Sequence, residues 1–394
     1  MMKLKRSIYY VLCLILGVCS LSSCIEEFEA DLPAEDSEVL VVEGAICSGK
    51  LNKFILSRTQ AIRSYESPRM VSGANVIVRG SDGSEIVAHE VDGYYACNID
   101  ALSPDVTYYL HIETGGEVYE SEPQKPIRTE KIEDVRGVQN TPTSDIDVLV
   151  TPAAPFEADH ANYYSWTYDE TWEVHANYST HMYFDVETMT RVYKNNLFPE
   201  IGWKDATSST IIVGGSPNYE GQHIQRLMMY DLSRDNESMY FRYSALVHQR
   251  AISKAEYEYE LARRQAGSEM GGLFTPQPSS LPTNIRCLTS SKNVIGFVGC
   301  SLNTSEYRFF LNAEDFSIAY PKYEDQRVWL ENCTEEACCK MVEKGYFLCE
   351  WEDERISFGP LRTAWAKENQ LDVRYKGAYI EEPDFWSLTE NVSY

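Results

Sequence analysis

The 394-residue chain carries 60 acidic against 35 basic side chains, a net charge of −25. That excess repels phosphate backbones and anionic lipid faces, which argues against nucleic acid as a partner. Tyrosine is used 27 times, and aromatic residues favour strands, so a mainly β body is expected.

Lys3, Lys5 and Arg6 precede the apolar run Ile8–Val18, and no acid occurs before Glu26. A basic start, a short apolar stretch and small residues before a cut site define a secretory signal. The run is short of the roughly 20 residues a helix needs to cross a bilayer. Leu21-Ser22-Ser23-Cys24 then fits a lipobox: an apolar residue three before the cysteine, and small residues next to it. Cys19 is the rival, but branched Val18 precedes it. The expectation is a signal peptide over 1–23 and lipidation at Cys24, with the acyl chains as an outer-membrane lipid anchor. Removing 1–23 takes away three basic residues and no acid, so the net charge moves from −25 to −28.

Residues 25–38 hold seven carboxylates and no base, a composition that cannot bury a core. With Cys24 they read as an acidic tether, 24–38. They lack the alternating acids around a glycine that a calcium loop requires. From Val39 the pattern turns to strands. Val39–Ile46 is β-branched, Ala74–Arg79 leads into the turn Gly80–Gly83, and Tyr94–Ile99 follows. In 106–113, Tyr108, Leu110 and Ile112 alternate with Thr107, Tyr109 and His111, the period of a half-buried strand. Gly115-Gly116 predicts a tight hairpin to Val118-Tyr119. This spacing predicts a sandwich over 39–127, transthyretin- or fibronectin-like, with Cys47 and Cys97 as its natural staple. Pro123 and Pro126 mark the boundary near 128.

A larger β-rich domain is expected over 128–394, since about 370 residues exceed what one core usually serves. Its strands include 146–151, 163–175, 181–187, 209–213, 225–231 and 239–250. One inserted helix is expected near 253–266, with Ser253 as cap, Glu256 as its capping-box partner and Tyr257 and Leu261 on its core face. Val294–Cys300 and Tyr307–Leu311 read as a β-hairpin. Residues 320–394 read as irregular and held by cysteine staples.

Eight cysteines follow Cys24: Cys47, Cys97, Cys287, Cys300, Cys333, Cys338, Cys339 and Cys349. Export makes all of them disulfide candidates, with the pairing left open. The Cys333–Cys339 cluster lacks the paired or His-spaced ligands of a zinc site, and no cofactor is expected. No catalytic residue stands out. Pro217 after Gly214-Gly215-Ser216 breaks the nucleophile-elbow pattern, and His175 and His181 do not form a His-Glu-x-x-His pair. The aromatic stretch 163–193 has two readings, core packing or ligand and partner contact. Tyr164, Trp166, Tyr168 and Trp172 are the contact candidates.

Several stretches, taken in order, resemble the Bacteroidota outer-membrane lipoprotein family called domain of unknown function 4249. They are the lipobox with its acidic follow-on, Leu40–Gly44, Ser72–Val76, Thr114–Ser121, the Ser253–Gln265 helix, Phe274–Pro278, Asn284–Cys287 through Phe297, and Pro383–Trp386. The resemblance implies a surface-exposed lipoprotein, typically encoded near TonB-dependent transporters and without assigned catalytic residues. Family members often place paired cysteines shortly before the final proline and tryptophan; here an insertion-like stretch separates Cys349 from Trp386. The expected function is therefore non-catalytic, an accessory or binding partner of a TonB-dependent outer-membrane receptor in nutrient uptake. A structural or adhesive surface protein is the alternative, and a secreted hydrolase the third reading.

Overall fold

The computed structural model describes residues 39–59, 69–155, 162–268, 281–322, 324–331, 333–352, 362–388 and 390–393. Cys24, the acidic run 25–38 and the Phe274–Pro278 turn lie outside the described residues. Within them the protein is mainly β, as its composition predicts, with several sheets and few helices.

The first core is wrapped by one ten-stranded sheet that is nearly barrel-like. Its strands include Lys50–Arg58, Asn75–Gly80, Glu85–Val91, Tyr94–Ile99, Tyr108–Thr114 and Glu117–Ser121. Tyr108, Leu110 and Ile112 point inward, as their alternation predicts, and meet Val76, Val78, Tyr95 and Phe54. The hairpin to Glu117–Ser121 turns on Gly115 and Gly116, both at positive φ, where a side chain would be strained.

Two end strands of this sheet come from far along the chain. Ile285–Cys287 pairs antiparallel with Glu117–Ser121, and Val294–Gly296 pairs parallel with Leu40–Val42. Gly299–Ser301 runs parallel to Ala45–Cys47. The first core is therefore built from residues on both sides of 128. The expected hairpin between 294–300 and 307–311 is not formed, because Ser305–Asn312 belongs to another sheet. Gly296 permits the parallel approach: a Cβ there would sit 2.2 Å from the Val42 carbonyl oxygen.

The second core lies between a three-stranded sheet (Ile132–Gln139, Ile146–Pro152, Leu227–Leu232) and a six-stranded one. The larger sheet is centred on Tyr163–His175 and Arg242–Ile252, paired antiparallel over ten residue pairs. Ser253 caps the helix Lys254–Ser268, its hydroxyl accepting from Glu256 N at 3.1 Å. The capping box stays half-made, because the Glu256 carboxylate turns instead to Arg250. That pair also changes the helix's inner face: Glu256 and Tyr259 are buried, whereas Tyr257 and Leu261 are only half-buried.

The C-terminal cysteine-rich segment is not irregular. Val328–Glu331, Arg362–Lys367 and Tyr346–Glu352 form a three-stranded sheet covered by the helix Glu335–Glu343. Thr334 caps that helix, and Cys338 and Met341 face Phe184, Leu348 and Trp365 in a third core. Cys333 and Cys338 are buried in this core, with their sulfurs 2.7 Å apart. The tail Pro383–Leu388 is strapped down by Arg242, which donates to the Trp386 and Leu388 carbonyls, and by Arg308, 3.5 Å from the Phe385 ring centre.

No disulfide joins any of the eight described cysteines in this structure. Cys47 and Cys97, the expected staple, are both buried and not bonded to each other here. Asn52 faces Cys97 across the ladder, and its buried amide is hydrogen-bonded to the Cys47 backbone on both sides. The closest sulfurs among described residues are those of Cys333 and Cys338, 2.7 Å apart.

Candidate functional site

The four aromatic contact candidates sit on one strand, Tyr163–His175, but most of their surface faces inward. Trp166 is 0% exposed and donates to Gln249 Oε1 at 2.7 Å; Tyr164 is 3% exposed. Neither reaches a partner, because even-numbered residues of this strand point between the two sheets. Tyr168 is stacked on Tyr230 at 3.9 Å, and Trp172 packs against Val174, Val373 and Ala378. The stretch is core wall, and Tyr230, on which Tyr168 stacks, opens a polar chain that returns to it at Glu170. Tyr230 and Tyr243 exchange a hydrogen bond of 2.9 Å, and Tyr243 donates to Glu170 at 2.7 Å.

Burial raises the Glu170 carboxyl above its ordinary range, more than the Tyr243 hydrogen bond lowers it. A raised folded-state pKa means that the folded chain holds the proton more tightly than the unfolded one. Stability is then fully present below the unfolded value and is lost as pH rises through the folded value. Glu170→Gln keeps an oxygen for Tyr243 and does not titrate. Its melting temperature should therefore gain on the parent between pH 4 and pH 7; a gap that stays flat or narrows would refute the assignment.

Two of the concave surfaces among the described residues lie elsewhere. One is a groove of about 750 Å³ where the C-terminal tail crosses the edge strand Ile201–Thr207. Asp205, Glu381, Glu382 and Asp384 give it an acidic rim around exposed Ile380. Asp205 accepts from Thr171 at 2.7 Å and from Tyr379 at 3.1 Å. Burial and the Asp205 charge push the Tyr379 hydroxyl up to about 12. Arg374, also in the lining, is held by Asp372.

The other is a pocket of about 620 Å³ at the seam of the ten-stranded sheet. Its two end strands, Ile285–Cys287 and Val294–Gly296, are joined by the loop 288–293, with no ladder between them. Ile285 and Val294 belong to the first core and form the floor. Arg286 and Lys292 are the charged residues of the lining. Lys292 is paired with Glu117 at 3.0 Å, and Glu117 also accepts from Ser290 at 3.2 Å and from the Tyr119 hydroxyl. The Cys287 thiol lies within 3.2 Å of the Ser290 hydroxyl and 3.5 Å of that of Thr289. Burial raises this thiol, but the hydrogen bonds of Ser290 and Thr289 outweigh it and leave it below the ordinary value. In the sequence, Asn284–Cys287 stands out only as one of the stretches that carry the family resemblance, and Cys287 only as a disulfide candidate. The hydroxyl-rich Thr289-Ser290-Ser291-Lys292 that follows was the missed signal.

Residues 25–307 match the family described as Domain of unknown function (DUF4249), and the chain belongs to that family. No curated protein matches the sequence. Among solved structures, a DUF4785 family protein from Legionella pneumophila is 14% identical, covering 53% of this chain and 52% of that one, with a TM-score of 0.17. Trypsin-activated alpha-2-macroglobulin from Escherichia coli is 8% identical, covering 56% and 15%, with a TM-score of 0.18. The matched part thus spans about half of the Legionella chain and far less of the other. Superpositions at those scores bear on neither fold nor function.

Proposed function

We propose that this protein is a surface-exposed lipoprotein of a Bacteroidota outer membrane, an accessory partner of a TonB-dependent transporter in nutrient uptake. The observation that carries the reading is Leu21-Ser22-Ser23-Cys24 followed at once by a run of acids. The lipid would hold the body at the membrane, and the acidic tether would keep it off an anionic surface and mark it for display outside. The family resemblance supports the transporter as company. The work is binding rather than catalysis, and the seam pocket and the acid-rimmed groove are the surfaces on offer for it.

Affinity purification of the tagged chain from membranes solubilised in mild non-ionic detergent tests the partnership. An outer-membrane barrel of the TonB-dependent class should co-elute in near-stoichiometric amount. Recovery of the lipoprotein alone, from cells that express TonB-dependent transporters, would defeat the accessory reading.

A further inference from the structure

The ten-stranded sheet ends on two strands of one short segment, and the loop 288–293 spans the gap between them. A seam closed by loop rather than by ladder leaves room between apolar side chains. The resulting pocket of about 620 Å³ lies within the size range of small-molecule sites. Its floor is Ile285 and Val294, both buried, flanked by half-buried Ile295.

The mouth has a definite electrostatic character. Arg286 and Lys292 bring two positive charges and the described lining brings no acid, in a protein whose net charge is −25. Lys292 is already paired with Glu117, outside the lining, and Glu120, opposite Arg286 in the ladder, is bonded to His111, which leaves Arg286 as the charge open to a ligand. Arg286 offers a planar fork of donors, whose geometry matches a carboxylate bidentately. An apolar floor under a single net positive charge selects one kind of molecule. A dianion such as phosphate would leave a charge unmatched, a neutral hydrocarbon would leave the guanidinium unused, and a cation would be repelled.

We propose that the seam pocket binds a monoanionic amphipath, an organic carboxylate whose apolar body lies on Ile285 and Val294 and whose carboxylate meets Arg286. This deepens the capture reading and rests on it for its biological purpose alone. Binding is measured on the isolated chain, so its failure leaves the transporter partnership standing, and a failed co-purification leaves the ligand standing.

Cys287 is a built-in reporter, since its thiol lies in the lining. The test uses the full chain carrying Cys24→Ala, prepared without detergent, with decanoate below its micelle concentration as probe and 1-decanol as the uncharged control. Site-resolved mass spectrometry follows iodoacetamide alkylation at Cys287, and calorimetry follows affinity. Decanoate should slow alkylation at Cys287 and bind more tightly than decanol. Loss of a charge-assisted bidentate contact predicts that Arg286→Ala weakens decanoate about tenfold, with decanol unaffected and partial recovery in Arg286→Lys. Equal affinity for decanoate and decanol overturns the proposal, as does decanoate binding that Arg286→Ala leaves unchanged. It is equally overturned if Cys287 is already shielded without ligand and decanoate adds nothing, which would mean that the chain itself fills the seam.

Discussion

Cys24→Ala is expected to move the protein from the membrane fraction to the soluble fraction. Among the described residues no helix is long and apolar enough to cross a membrane, so nothing described there competes with the lipid as a helical anchor. An acyl chain contributes about 0.8 kcal/mol for each buried methylene, and stable anchoring takes two signals or more. A diacylated cysteine with an added amide-linked chain would exceed that requirement; without the sulfur there is no diacylglycerol, and the amine that would carry the third chain is not freed by processing at that cysteine, so all of it would be lost at once. The effect should be close to all-or-none by fractionation, and it should resist high salt, because screening weakens ionic adhesion but not acyl insertion. A variant that stays fully with the membrane contradicts the anchor at Cys24.

The second large effect is expected inside the fold. Arg250 lies on a central strand with its side chain 16% exposed, and Glu256, in the first turn of the helix Lys254–Ser268, is 5% exposed. The two are joined by a pair of hydrogen bonds, one of them Arg250 Nη1 to Glu256 Oε2 at 3.2 Å. Burial works against the charge on Arg250, and Glu256 more than restores it. The carboxylate lies so close over Gly299 that a Cβ there would come within 2.0 Å of Oε2. Gly299 belongs to a strand paired with Ala45–Cys47, so the ion pair ties the helix and the second sheet to the first core. Glu256→Ala leaves a guanidinium buried without its counter-charge, and removing one partner of a buried pair costs about 3–5 kcal/mol. Arg250→Met/Glu256→Leu removes both charges and should recover most of the loss. Denaturant titration of the soluble form checks both variants. A loss under about 1 kcal/mol for Glu256→Ala would show that the pair is solvated rather than buried.

What the sequence made legible was local. Alternation in Tyr108–Ile112, the Gly115-Gly116 turn and the Ser253 cap each involve residues within a few positions of one another, and each appears as expected. Three misreadings have a common cause, in that partners distant in the chain are invisible to a period. The pairing of Val294–Gly296 with Leu40–Val42 spans some 250 residues and converts an expected hairpin into two parallel contacts. Arg250 draws Glu256 out of its capping box and turns the buried helix face from Tyr257 to Tyr259. The C-terminal segment reads as irregular, yet Cys338 and Met341 carry the helical spacing that buries them beside Trp365, against a sheet whose strands come together from 328–331, 346–352 and 362–367. The aromatic stretch shows the opposite case, for its alternation was visible and meant core. Tyr164 and Trp166 are too deeply buried to touch a ligand. The seam pocket escaped notice because it is made by the meeting of sheet ends, and no single stretch records that.

The central claim, a mature lipoprotein that begins at Cys24, is tested most directly by the mass of the N-terminal peptide released from the native membrane-bound protein. The peptide should begin at Cys24 and carry a thioether-linked diacylglycerol with an acylated amine. A peptide that begins at another residue, or an unmodified Cys24 thiol in the membrane fraction, would contradict the account.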